Sequence, residues 1–174
     1  MTHYALTAVG PDRPGILAAL TEPLVRHKCN LEDTSATILR GHFMLMMVVG
    51  LPEGVEIESV LSEVRARCDA FEIRVEARQL RPLEGPPAAT HVVSLYGADK
   101  PGIVFRLAEV LARHGVNMLE LDSRLVGRPG RPIYAMLLEI AVPDESDEAG
   151  LLRDVEALGA ELGVDVSLRP IEAR

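Results

Sequence analysis

The eight residues GPDRPGIL at Gly10–Leu17 return as GADKPGIV at Gly97–Val104. When the chain is slid so that Gly97 falls on Gly10, Asp12 meets Asp99, Pro14 meets Pro101, Gly15 meets Gly102 and Ile16 meets Ile103. The register continues, with RHKCN at Arg26–Asn30 facing RHGVN at Arg113–Asn117. After a four-residue insertion in the second copy, FMLMMVVGLP at Phe43–Pro52 faces YAMLLEIAVP at Tyr134–Pro143. Half of the chain is thus a copy of the other half, and any fold proposed for one must serve both. The stretch RPLEGPPAA at Arg81–Ala89 has the Pro/Gly punctuation of a linker, which predicts units at 1–80 and 90–174. A unit of that size is small for a lone core, so the two are expected to pack together.

Each half reads as the same series of elements. Tyr4–Val9 and His91–Tyr96 are short, apolar and bounded by glycine, hence strands. A helix should follow from Pro14 to about His27, with proline at its first position and an apolar face of Ile16, Leu17, Leu20 and Leu24. Its counterpart uses Ile103, Leu107, Val110 and Leu111. Pro23 lacks the donor for the Ala19 carbonyl, so the first helix should kink or end early. Strands near Asn30–Leu39 and Phe43–Gly50 meet at a tight turn, Arg40-Gly41; in the second half, VGRPGRP at Val126–Pro132 reads as a longer turn.

A second helix carries Ile57, Val60, Leu61, Val64 and Cys68 in one stripe, and Leu151, Leu152, Val155, Leu158 and Leu162 repeat it. A last strand closes each half, near Phe71–Leu80 and Val164–Pro170. The order strand, helix, strand, strand, helix, strand is the ferredoxin-like α+β arrangement: an antiparallel four-stranded sheet with both helices on one face. FMLMMVVG, however, is apolar at every position from Phe43 to Val49, where a strand covered on one face alone would alternate. Its helix-free face is therefore expected to pack against another subunit or a partner.

Composition narrows the function classes. Eighteen basic residues against 26 acidic ones leave a formal charge of −8, which repels a phosphate backbone. Aromatic residues make up 3% of the chain and tryptophan is absent, so no stacking platform for single-stranded nucleic acid is available. Two cysteines, Cys29 and Cys68, make no disulfide framework and read as small apolar residues in a reducing compartment. No apolar run reaches the roughly 18 residues of a membrane span, and MTHYALTAVG does not read as a signal peptide. A soluble cytoplasmic protein is expected.

The repeated loop joins a strand end to a helix start. Unpaired first-turn N–H groups beside a glycine favour an anion such as a carboxylate, and Asp12 or Asp99 beside them suits an ammonium group. Together these make a grip for a free amino acid. The same residues equally describe a tight turn in which Asp12 caps its own helix. Asn30 and Asn117, each at a strand entrance, suit a polar ligand or merely cap the preceding turn. No nucleophile elbow, phosphate loop or H-E-x-x-H zinc motif occurs. His27, near Cys29, and His114 fall at helix C-termini, where imidazole suits the dipole, and PDESDE at Pro143–Glu148 suits a helix cap. No catalytic residue, metal set or cofactor is expected, although an enzyme is the third reading after a sensor and an assembly module.

The D-x-P-G-I/V turn, the helix ending near V-N-M and the βαββαβ order together resemble the ACT domain, a small-molecule regulatory module. Two tandem copies with no other domain resemble most the glycine cleavage system transcriptional repressor-like group of double-ACT proteins. The resemblance implies lobes paired side by side with joined sheets. It places a ligand between the Pro-Gly loop of one lobe and the first residues of the second strand of its neighbour. On this chain that assigns Asp12, Pro14, Gly15, Ile16, Asn30 and Leu31, with Asp99, Pro101, Gly102, Ile103, Asn117 and Met118 in the second copy. It also implies a homodimer and a regulatory protein partner, with neither nucleic acid nor membrane bound directly. Two places depart from the family pattern: Gly10 and Gly97 stand where some members carry a polar ring, and Lys28-Cys29 replaces Gly115-Val116. An ACT module that assembles without a ligand is the alternative.

Overall fold

The computed structural model describes residues 1–81, 85, 87–128 and 130–171. The chain divides into two compact units, Met1–Leu83 and Glu84–Arg174. Of the expected linker, 82–84 and 86 lie outside the described residues.

The first unit runs β1 (Thr2–Pro11), α1 (Ile16–Arg26), β2 (Asn30–Leu39), β3 (His42–Leu51), α2 (Ile57–Cys68) and β4 (Arg74–Gln79). The second repeats it as β5 (His91–Gly97), α3 (Ile103–Arg113), β6 (Asn117–Arg128), β7 (Arg131–Ala141), α4 (Glu148–Leu162) and β8 (Val164–Pro170). Each unit has one antiparallel sheet, ordered β2-β3-β1-β4 and β6-β7-β5-β8. The ferredoxin-like expectation holds in both units. No helix among the described residues is long and apolar enough to cross a membrane.

Alternation in the central strands builds the cores. Leu45, Met47, Val49 and Leu51 of β3 point inward with Leu6 and Ala8 of β1, against Leu20 and Leu24 of α1 and Val60, Leu61 and Val64 of α2. The second core repeats this with Met136, Leu138 and Ile140 of β7 and Leu107 and Leu111 of α3. Removing such side chains from water, at roughly 25 cal/mol per Å² of apolar surface, supplies the main drive to fold. No residue of β2 or β6 belongs to either core. Both are outer strands, and every residue of β2 is exposed.

Several local expectations are corrected. The first helix begins at Ile16 rather than Pro14, because Gly15 holds φ 96° and only the residue after it enters helical geometry. Leu17 and Leu152 are exposed, each lying beside the buried stripe rather than on it. Pro23 does not end α1 early: α1 and α3 have matching bounds, and Pro23 lies buried toward the core, where burial offsets its missing hydrogen bond. The four inserted residues do not lengthen the second hairpin turn. Arg128 pairs with Arg131, so the two strands each grow and only a two-residue connection is left. Insertion as matched pairs keeps every side chain on its original face. A 3₁₀ turn at Asp69–Phe71 delays β4 to Arg74.

Both first helices end in the same way. Cys29 N–H donates to the Leu24 carbonyl at 2.9 Å and Val116 N–H to that of Leu111 at 3.0 Å, closing a left-handed cap at Lys28 (φ 57°) and Gly115 (φ 66°). Cys29 and Val116 then turn their side chains to the cores. A lysine in this conformation carries strain that glycine avoids. Lys28→Gly is expected to stabilise the chain by about 1 kcal/mol in urea unfolding; a loss of stability would show that the cap is relaxed with lysine.

Candidate functional site

The Pro-Gly loops open α1 and α3 without a side-chain cap: Gly15 and Gly102 occupy the cap position at φ 96° and 91°. The first backbone donors satisfied within these turns are Ala19 N–H, to Gly15, and Arg106 N–H, to Gly102. Among the described residues, the amides of 16–18 and 103–105 therefore have no backbone acceptor. Those donors gather at the positive end of the helix dipole. The elbows are not filled: a methyl at Gly102 would meet nothing within 4 Å, and one at Gly15 only the Phe71 ring, at 3.6 Å. The expected Asp12 helix cap does not form; its backbone N–H instead donates to the Gly41 carbonyl at 2.9 Å.

Each loop divides its charges between structure and solvent. Arg13 reaches across to Glu72 at 2.6 Å and to the Ala70 carbonyl, while Lys100, at the equivalent place, donates to the Leu162 carbonyl. The basic residue thereby ties the loop to the end of the second helix in the second unit and to the segment just after it in the first. The acids stay free: Asp12 and Asp99 are exposed, with no side-chain partner among the described residues. Sequence reasoning missed the role of the basic residue, although its recurrence at both positions was a usable signal.

Gly10 and Gly97 explain the departure from a polar ring. A Cβ at Gly10 would lie 2.6 Å from the Glu72 carbonyl oxygen and 2.7 Å from Ile73 Cδ1. At Gly97 it would overlap Val164 Cγ1 and lie 3.0 Å from Val164 Cα. The chain entering the last strand passes directly over the place that any larger side chain would need.

The other assigned residues fall elsewhere. Pro14 and Pro101 are exposed loop residues, whereas the Ile16 and Ile103 side chains are buried in the cores and can offer a ligand only their amides. Asn30 and Asn117 open β2 and β6 at the far end of each sheet, since Asn30 pairs with Gly50 and Gly50 with His3, while Asp12 follows Pro11. Along β1 that separation is about 30 Å at the usual rise per residue. Neither unit brings its own acid and asparagine together. Asn30 donates to Glu32 at 3.5 Å, the same carboxylate oxygen that meets His3 at 3.1 Å. Asn117 has no such neighbour among the described residues and lines a cleft of about 490 Å³ with Thr90, Gly115, Ala141, Val142 and Asp144. Leu31 and Met118, one residue further on, are exposed.

The chain matches the ACT domain model over residues 3–78 and again over 89–169. It belongs to the ACT domain family. It is 30% identical over 176 residues to the glycine cleavage system transcriptional repressor of Escherichia coli (strain K12), a match covering 97% of this chain and 90% of that one. The Shigella flexneri protein of the same name matches equally. A crystal structure of an unknown protein from Galdieria sulphuraria superposes with a TM-score of 0.81 at 21% identity, covering 98% of this chain and 99% of that one. A second, provisionally assigned as a glycine cleavage system transcriptional repressor, gives 0.74 at 22% identity, covering 99% of this ACT pair and 98% of that chain. These two establish the double fold.

Among the described residues no three His, Cys, Asp or Glu side chains gather to hold a metal ion. His27 and His114 instead clasp the second helix of each ACT unit: His27 Nε2 meets Glu63 at 2.8 Å and His114 Nε2 meets Asp154 at 2.8 Å. Arg26 adds a second contact to Glu63 at 2.8 Å. These hydrogen bonds hold the Glu63 and Asp154 carboxyls below their ordinary pKa values. Burial raises the Cys29 and Cys68 thiols, the opposite of what a reactive nucleophile needs. Carboxyls lowered in the folded state contribute stability that is complete above their unfolded values and fades as pH falls through the native ones. Glu63→Gln with Asp154→Asn should therefore flatten the loss of stability between neutral pH and pH ~3, as read by urea melts. An unchanged acid slope would show that the clasp is not formed in solution.

Proposed function

We propose that the chain is a non-catalytic regulatory protein that binds a free amino acid, such as glycine or serine, at a seam between ACT lobes. One observation carries the reading: in both copies the basic residue of the Pro-Gly loop is engaged structurally, while the acid and the first-turn amides stay free. The amides of Ile16 and Ile103, with those that follow, receive the ligand carboxylate, and Asp12 or Asp99 receives the ammonium group. Because Asn30 and Asn117 lie at the opposite sheet end from their own loops, each site takes its asparagine from a neighbouring lobe.

The exposed outer strands β2 and β6 supply the edges along which such lobes join, with unpaired backbone groups ready for a partner strand. A ligand bound at the seam stabilises one packing of the lobes over another and so exposes or hides a surface for a regulatory protein. Its formal charge of −8 favours acting through that protein rather than on DNA directly. Control of amino-acid metabolism at transcription, in the cytoplasm, fits the relationship to the glycine cleavage system repressors.

A thermal-shift screen against the twenty amino acids tests this. A binder at a hundredfold excess over its Kd adds about 2.7 kcal/mol to the folded state. Asp99→Ala and Asn117→Ala are expected to abolish the rise in Tm while leaving the unliganded Tm in place. If no amino acid raises Tm, the chain is a ligand-free assembly module instead.

A further inference from the structure

The two copies differ where β2 and β6 begin. In the second unit Asn117 pairs with Ala141 and lines the cleft of about 490 Å³ together with Ala88, Thr90 and Gly115. A methyl added at Gly115 would meet nothing within 4 Å, so that wall of the cleft is open. The Thr90 hydroxyl is committed to structure: it accepts from the Val142 N–H at 2.9 Å and lies 2.9 Å from His91 Nδ1. The Asn117 amide has no side-chain partner among the described residues, which leaves both its donor and its acceptor for a ligand.

The equivalent end of the first unit is built from larger groups. The repeat register sets Met1 on Ala88, His3 on Thr90, Lys28 on Gly115 and Glu32 on Leu119. Asn30 pairs with Gly50 as Asn117 does with Ala141, but the space over that pair is taken. A Cβ at Gly50 would lie 2.8 Å from Met1 Sδ and 3.4 Å from Glu32 Oε1. The same Oε1 meets His3 Nε2 at 3.1 Å and the Asn30 amide nitrogen at 3.5 Å. Glu32 lies in the register shift between Leu31 and Thr34; Leu119, in the matching shift between Met118 and Glu120, has no polar group to offer Asn117. A recess of about 530 Å³ at this end of the first unit runs from Met1 along 51–57, and Asn30 does not line it.

We propose that the two asparagine ends are not equivalent: the cleft at Asn117 seats the free amino acid, while the end at Asn30 is closed by the chain's own Glu32 carboxylate. Glu32 takes the amide donor that a ligand oxygen needs, and His3 holds it there. Because it is tethered two residues from Asn30, it competes at an effective concentration of roughly millimolar or more. The inference rests on the amino-acid reading above and adds to it which copy works: one ligand binds per chain, although the repeat supplies two elbows and two asparagines.

Calorimetric titration of the full chain with each of the twenty amino acids should give one site per chain for the one that binds. Leu119→Glu copies the Glu32 arrangement into the second unit and should raise the Kd about tenfold or more, with circular dichroism unchanged. Glu32→Leu with Lys28→Gly removes it from the first unit and should bring the count to two sites per chain. Two sites in the natural chain, an undiminished affinity in Leu119→Glu, or a count that stays at one in the double variant would each overturn this inference while leaving the amino-acid reading in place. If no amino acid binds, that reading fails and this inference falls with it.

Discussion

A helix normally shields its first N–H groups with a serine, threonine, aspartate or asparagine side chain. In this protein both first helices begin behind a left-handed glycine, a conformation that L side chains rarely adopt. No side chain folds back over the opening turn, so the donors at the positive end of the dipole face outward. Everything proposed about ligand binding depends on that opening. The loop is held by the basic residue before Pro14 or Pro101 and by the close crossing at Gly10 or Gly97, while the acid between them remains free.

The rest of each unit is scaffold for this elbow, and the scaffold leaves definite surfaces bare. No core residue comes from β2 or β6. Outer strands with open edges and a sheet face with a methionine or tyrosine at its centre are costly to leave in water. The two exposures suit different neighbours: an edge extends a sheet by backbone pairing, whereas a face packs by side chains and charge. The histidine clasps join the two helices of each unit at the end remote from the elbow, steadying the helix whose start forms it.

Much of this was legible in the residues. The repeat, the order of elements and the stripe Val60, Leu61, Val64 and Cys68 follow from periodicity, which burial imposes directly on sequence. Helix starts and turns were harder. Pro14 looked like a first helical residue, but the left-handed glycine after it moved the start to Ile16, and a propensity rule does not register that geometry. The inserted residues around Pro129 looked like a longer turn because glycine and proline are turn residues; pairing from Arg128 to Arg131 extended the strands instead. Leu17 and Leu152 were misplaced because an apolar residue one step from a buried one shares its neighbourhood in sequence but not its direction on the helix.

The sequence alone determined that two equivalent βαββαβ units exist, that each presents a Pro-Gly elbow with an acid beside it, and that the net charge disfavours nucleic acid. Those properties are local or periodic, and a linear pattern records them. Tertiary structure decided that Arg13 and Lys100 are anchors rather than ligand groups, and that Gly10 and Gly97 answer to a crossing chain. It also decided that Asp12 and Asn30 lie at opposite ends of one sheet. Each of these depends on residues far apart in the chain meeting through the sheet's register, and spacing along a sequence does not encode distance across a fold.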